Sequence, residues 1–174
     1  ATTLLGWLEA LPKETILARP VLASMKGFSL MLCGKPPQEV NALLQEMRAA
    51  GCLDEFQGEA TTLRALLAIL QGNPVDAIQL SEQALQQLPS GRSFFRSLAA
   101  DSLGMAYTLA GNIESAIRAF EQVVDISLRS DNIMMAIAAL TNLAGLSYLQ
   151  GHLRAAITSC RQVLDLASQR IGKQ

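Results

Sequence analysis

The chain has 174 residues, half of them hydrophobic, and its 14 basic and 15 acidic side chains give a formal net charge of −1. That length can bury roughly 70% of the surface an unfolded chain exposes within one structural unit. The near-neutral, scattered charge excludes a basic stripe able to neutralise phosphates, so direct nucleic-acid binding is not expected.

Leu and Ala dominate while β-branched and aromatic residues are scarce, which favours helix over strand, and an all-α fold is expected. Cys33, Cys52 and Cys160 are odd in number and in no CxxC or Cys/His spacing. A disulfide framework and a zinc site are therefore not expected, and the thiols are expected to serve as small apolar residues. The first residue is Ala1, and no basic segment or cleavage site of a secretory leader follows. The expectation is a cytoplasmic piece of a longer protein. From Ile133 to Gly151 there is no charged residue, close to the length of a membrane span, but Thr141, Asn142, Ser147 and Gln150 argue for a helix sandwiched between neighbours.

In chain order, Leu4, Leu5, Leu8 and Leu11 beside Trp7 predict a short helix closed by Pro12. Residues 1–12 are expected to be the second half of a truncated hairpin, with Trp7 packing inward. A connector, 13–19, holds one irregular helical turn, and Pro20 then occupies the first turn of a helix reaching about Cys33. After Gly34, Pro36 starts a helix whose stripe of Val40, Leu43, Leu44 and Met47 ends at Gly51. The next hairpin is expected over about 54–89, with Asp54 as N-cap, Gly72 as turn and Asn73-Pro74 as cap and first position of the partner helix. A third spans about 93–129, turning at Gly111-Asn112. The last spans about 131–171, with Asp131 as its N-cap and Gly151 as its turn. The count is about nine helices.

The turn glycines align. Gly34 to Gly72 is 38 residues, Gly72 to Gly111 is 39, and Gly111 to Gly151 is 40. Ala77, Ala116 and Ala156 each lie five residues beyond a turn glycine, where a small side chain lets two helices approach closely. In the third unit Leu103-Gly104-Met105-Ala106-Tyr107, Gly111, Ala116 and Phe120 resemble the L-G-x2-Y…A-x3-F pattern of a tetratricopeptide hairpin. The resemblance implies a right-handed α-solenoid in which stacking supplies the core, a single domain over 1–174.

Catalytic patterns fail on their own terms. Gly27 and Gly34-Lys35 are separated by six residues rather than the four of a phosphate loop, and Pro36 stands where Ser or Thr would hold magnesium. His152 is the only histidine, follows a turn glycine, and has no evident nucleophile or carboxylate to form a triad. Acidic residues are spread over helices without a calcium loop or paired-carboxylate site. An enzyme is not expected, and no metal site is expected.

Recognition remains. The first helix of each stacked hairpin faces the groove of a solenoid, and helical spacing then points four residues per unit into it. These are Val21, Ser24, Phe28 and Met31; Glu59, Thr62, Leu66 and Ile69; Leu98, Asp101, Met105 and Thr108; and Ala138, Thr141, Gly145 and Tyr148. Ser24, Phe28, Glu59, Thr62, Asp101, Met105, Thr108, Thr141 and Tyr148 are the candidate ligand or partner residues. A carboxylate-clamping groove would need Lys, Arg and Asn there, and none of the sixteen is one of these.

Several segments together resemble the central region of the large ATP-dependent LuxR-type, MalT-like transcriptional regulators. They are Leu4-Leu5-Gly6-Trp7-Leu8-Glu9-Ala10-Leu11-Pro12, Ala18-Arg19-Pro20, Gly58-Glu59-Ala60, Leu63-Arg64-Ala65-Leu66-Leu67-Ala68, Gly104-Met105-Ala106-Tyr107, Gly151-His152-Leu153-Arg154-Ala155-Ala156 and Cys160-Arg161-Gln162. The resemblance implies a nucleotide-binding switch upstream and a helix-turn-helix downstream, with ATP bound only by the upstream domain and no cofactor here. It further implies that this region receives a small-molecule inducer or a regulatory protein or peptide and mediates self-association, with no contact to nucleic acid or membrane. The alternative is a tetratricopeptide adaptor that only docks a partner protein or peptide.

Overall fold

The computed structural model describes residues 2–51 and 56–171, which form ten α-helices and no strand. They are α1 Thr2–Glu9, α2 Lys13–Leu17, α3 Pro20–Leu32, α4 Pro37–Ala49, α5 Gln57–Leu70, α6 Pro74–Gln87, α7 Ser93–Leu109, α8 Ile113–Arg129, α9 Ile133–Leu149 and α10 Leu153–Ile171. The tenth, beyond the expected nine, is α2, the helical turn foreseen in the 13–19 connector. Asp54, expected as an N-cap, and Cys52 lie outside the described residues.

Each hairpin turn uses one device. The last helical carbonyls need partners and the chain must reverse, so a residue enters the left-handed region, at φ 66° for Gly34, 71° for Gly72, 76° for Gly111 and 77° for Gly151. The residue after the glycine then donates its N–H back to the helix just ended, Asn73 to the Ala68 carbonyl and Asn112 to the Tyr107 carbonyl, both at 2.9 Å. The same asparagine caps the next helix, its Oδ1 accepting from Asp76 N–H at 3.3 Å and from Ser115 N–H at 3.2 Å respectively. A single residue thus ends one helix with its backbone N–H and begins another with its side chain.

Between α8 and α9 the device is kept without glycine. Asp131 itself adopts φ 54°, and Asn132 donates to the Ser127 carbonyl at 2.8 Å and accepts from Met135 N–H at 3.4 Å. The cap is therefore Asn132, not Asp131 as expected; Asp131 occupies the left-handed position that glycine fills elsewhere.

The helices stack as a solenoid of antiparallel pairs. α5 packs on α6, α7 on α8 and α9 on α10, each second helix meets the following hairpin, and the first helices α3, α5, α7 and α9 line up behind one another. Small residues permit the close approach. Ala77 and Ala116 are fully buried and Ala156 nearly so. At Gly104 an added Cβ would lie 2.7–2.8 Å from three ring atoms of Phe120, so the glycine and the aromatic of the repeat signature are one contact between α7 and α8. Tyr107 is half-buried and donates its hydroxyl to Glu82 Oε1 at 3.1 Å, tying α7 to α6.

The core follows the stack in successive clusters. Leu5, Leu8, Ile16, Val40 and Met47 join α1 through α4 to Leu63 and Leu67 of α5; Ala84, Leu88, Phe95 and Leu98 fill the next layer; Phe120, Val123 and Leu146 fill the one after. Trp7 does not join them. It is 69% exposed, because Leu5 and Leu8 form the buried stripe of α1 and Trp7 falls on its other side. Cys33 is half-buried as a packing residue, whereas Cys160 is exposed and does not pack inside as expected; both are free thiols.

The uncharged α9 packs against α8 on one side and α10 on the other, and no helix among the described residues is long and apolar enough to cross a membrane. In α8, Ile117, Phe120 and Val124 pack in a cluster that includes Ala139, Leu143 and Leu146 of α9. One repeat later on α10, Ile157, Cys160 and Leu164 are exposed, with Leu164 at 65%.

Candidate functional site

A hollow of about 590 Å³ opens between the first helices of the last two hairpins. α7 contributes Met105, Thr108 and Leu109; α9 contributes Thr141, Asn142, Gly145, Leu146 and Leu149; Ile69 of α5 and Phe120 of α8 complete the lining. Five of these, Ile69, Met105, Thr108, Thr141 and Gly145, sit at the groove positions expected from helical spacing. Both threonines have already spent their proton. The Thr108 hydroxyl donates to the Gly104 carbonyl at 2.8 Å and that of Thr141 to the Ile137 carbonyl at 2.8 Å. Each can therefore offer a ligand only a lone pair, beside its methyl group. The Asn142 carboxamide supplies both a donor and an acceptor to the lining, and none of the lining residues carries a charge.

Asp101 lies one turn before Met105 on α7 and is not among the residues lining the hollow. Its carboxylate is largely buried and Oδ1 has no hydrogen-bond partner. Burial alone pushes its pKa up to about 6 from the usual 3.8, because the charged form loses hydration that nothing replaces.

The remaining expected residues lie elsewhere. Tyr148 is 67% exposed and lines a second hollow, of about 540 Å³, with Ile157 and Leu164 of α10; Gly145 borders both hollows. Ser24 and Thr62 are fully buried inside the stack, where the Thr62 hydroxyl donates to the Gly58 carbonyl at 2.7 Å and Ser24 Oγ has no partner. Glu59 is 2% exposed, and its Oε1 stands 3.5 Å from Arg92 Nε, whose guanidinium carbon lies 4.9 Å from the centre of the Phe56 ring. Phe28 is half-buried and meets the Phe94 ring edge-on at 5.5 Å. In this earlier part of the solenoid Ser24, Glu59, Thr62 and Leu66 are packing positions, while Val21 stays exposed.

Helical spacing alone missed Leu109, Asn142, Leu146 and Leu149. Each is the sequence neighbour of an expected groove residue. Where two first helices diverge, the wedge between them exposes two adjacent ridges of α9 rather than one, and a single line of i, i+3, i+4 positions sees half of the wall. Phe120, the aromatic of the repeat signature, packs against Gly104 and also lines the hollow. Among the described residues no group of three His, Cys, Asp or Glu side chains could hold a metal ion.

Comparison with known proteins bears on the whole chain. The family model described as the MalT-like TPR region matches residues 58–174. The HTH-type transcriptional regulator MalT of Cronobacter sakazakii (strain ATCC BAA-894) is 32% identical over 168 residues, a match covering 94% of this chain. The chain spans only 18% of that relative's length. With the repeat register, the asparagine-capped turns and the Gly104–Phe120 contact, these matches place the chain in a family: it belongs to the MalT-like tetratricopeptide region.

Proposed function

We propose that this chain is the non-catalytic, signal-receiving module of a transcriptional regulator, and that the hollow between α7 and α9 seats its inducer or regulatory protein. The observation that carries this reading is the convergence of Met105, Thr108, Thr141 and Gly145, selected by repeat position, on one cavity whose volume is that of a ligand site. Its relative is a regulator by name, and the family match covers the hairpins that form the hollow. A ligand wedged between two first helices would favour one spacing of the stack over another, and so bias the arrangement of whatever domains flank it.

The test is a reporter assay with a full-length regulator carrying this stretch. Thr108→Leu and Gly145→Met, which fill the hollow from opposite walls, are expected to abolish or blunt the response to the inducing signal at unchanged protein level. A dose-response identical to that of the unaltered protein would overturn the proposal. The adaptor reading is favoured by a different observation, the exposed apolar side chains Leu153, Ile157 and Leu164 of α10, a surface suited to a partner protein or peptide. It predicts that Leu164→Glu, and neither hollow variant, changes the response.

A further inference from the structure

The groove position that falls on Gly145 is occupied one, two and three hairpins earlier by Met105, Leu66 and Phe28. Three units carry a large side chain there and the fourth carries none. Glycine weakens a helix interior, so its presence within α9 calls for a physical reason. At Gly27, Gly58 and Gly104 the reason is packing: an added Cβ would come within 2.7, 2.6 and 2.7 Å of Leu63, Leu88 and Phe120. At Gly145, as at Gly6 within α1, an added Cβ would meet nothing within 4 Å, and of these two it is Gly145 that lines the hollow. Packing does not require this glycine. What it does is leave room, and the room is the hollow.

The walls then say what fits. A charged ligand entering them would lose hydration with no opposite charge to meet it. A polyhydroxylated ligand would need many partners, whereas the lining offers one carboxamide, on Asn142, and the lone pairs of Thr108 and Thr141. The rest is aliphatic, thioether and aromatic surface. Building on the signal-receiving reading above, we infer that the hollow takes a small, uncharged, largely apolar molecule with one or two hydrogen-bonding groups, and that the missing side chain at Gly145 is what admits it. Asn142 orients the polar group, and Met105, a side chain without branches, adapts to the apolar part.

The test titrates the neutral fluorescent probe N-phenyl-1-naphthylamine into the 174-residue chain, with thermal melts of each variant. Saturable enhancement is expected. Thr108→Leu, which touches only this hollow, and Gly145→Met, which restores the side chain of the earlier repeats, should each weaken binding about tenfold or more without lowering the melting temperature. Gly145→Ala should give a smaller loss, and serves if the methionine variant melts early. Leu164→Glu, on the separate α10 surface, should change nothing. Equal probe binding by the Thr108 and Gly145 variants, or its loss in Leu164→Glu, would overturn the inference. So would tighter binding, sensitive to Thr108→Leu, of a charged or polyhydroxylated compound. In those cases the signal-receiving reading stands as long as the reporter still loses its response in the hollow variants; an unchanged reporter response overturns that reading whatever the probe does.

Discussion

At Asp101 the fold holds a carboxylate where burial opposes its charge. The pKa of about 6 lies above the ordinary 3.8, so between about pH 4 and 6 the folded chain keeps a proton that the unfolded chain has released. The sign follows: this residue costs no stability below the unfolded pKa, costs progressively more as pH rises to about 6, and levels off beyond. A rise from 3.8 to about 6 corresponds to roughly 3 kcal/mol. Asp101→Asn, which keeps the shape and removes the charge, is expected to gain most of that at pH 7.5 and little at pH 4, measured as the difference between variant and parent in urea unfolding at the two pH values. A gain of equal size at both would rule out the charge as its cause. The contrast with Gly104 shows what a residue discloses in sequence. Gly104 and Phe120 are legible because their spacing is itself the contact, 16 residues apart across a fixed turn. The burial of Asp101 is not legible, since an acid on a helix looks the same whether its neighbours stand off or close over it.

At the scale of the helix, the turns decide boundaries and the sequence exposes most of them. Glycine followed by asparagine or proline-backed asparagine marks the positions where one helix must end in the left-handed region and the next must be capped. The misplacement at Asp131 has a specific cause. Asp131 and Asn132 are both good caps, and only the return hydrogen bond from Asn132 to Ser127 determines which of them begins α9. Asn112 performs both jobs between α7 and α8, so Asn112→Ala is expected to cost about 1 kcal/mol through the lost side-chain cap. The melting temperature should fall by a few degrees, as for any loss of that size in a domain of this length. No change would mean that the backbone closure carries the turn alone. Trp7 was misjudged for a related reason: α1 presents two faces of similar hydrophobicity, and only the position of α3 selects Leu5 and Leu8 as the buried one.

For the whole molecule, the periodic glycines and alanines made the stack legible before any coordinate, because each unit must repeat the contacts of the one before it. The hollow was half legible. Spacing along each first helix found one ridge of its wall, while the divergence of α7 and α9 that exposes the second ridge depends on how entire hairpins lean, which no local pattern encodes. The same logic bears on α10. Ile117, Phe120 and Val124 share a cluster with residues of α9, whereas their counterparts Ile157, Cys160 and Leu164 are exposed, so among the described residues of the 174-residue chain α10 is secured by α9 alone. In the 174-residue chain taken by itself, such a unit opens before the helices packed on both sides. Among these three helices of the 174-residue chain, amide hydrogen exchange should therefore be slowest in α7, faster in α9 and fastest in α10; uniform protection across them would mean that they open together. Opening α10 also frees α9, one wall of the hollow, so a helix packed on one neighbour only and the candidate ligand cavity share a hinge. A ligand that holds α9 in place would be felt first as slower exchange at α10, a clasp fastened from within.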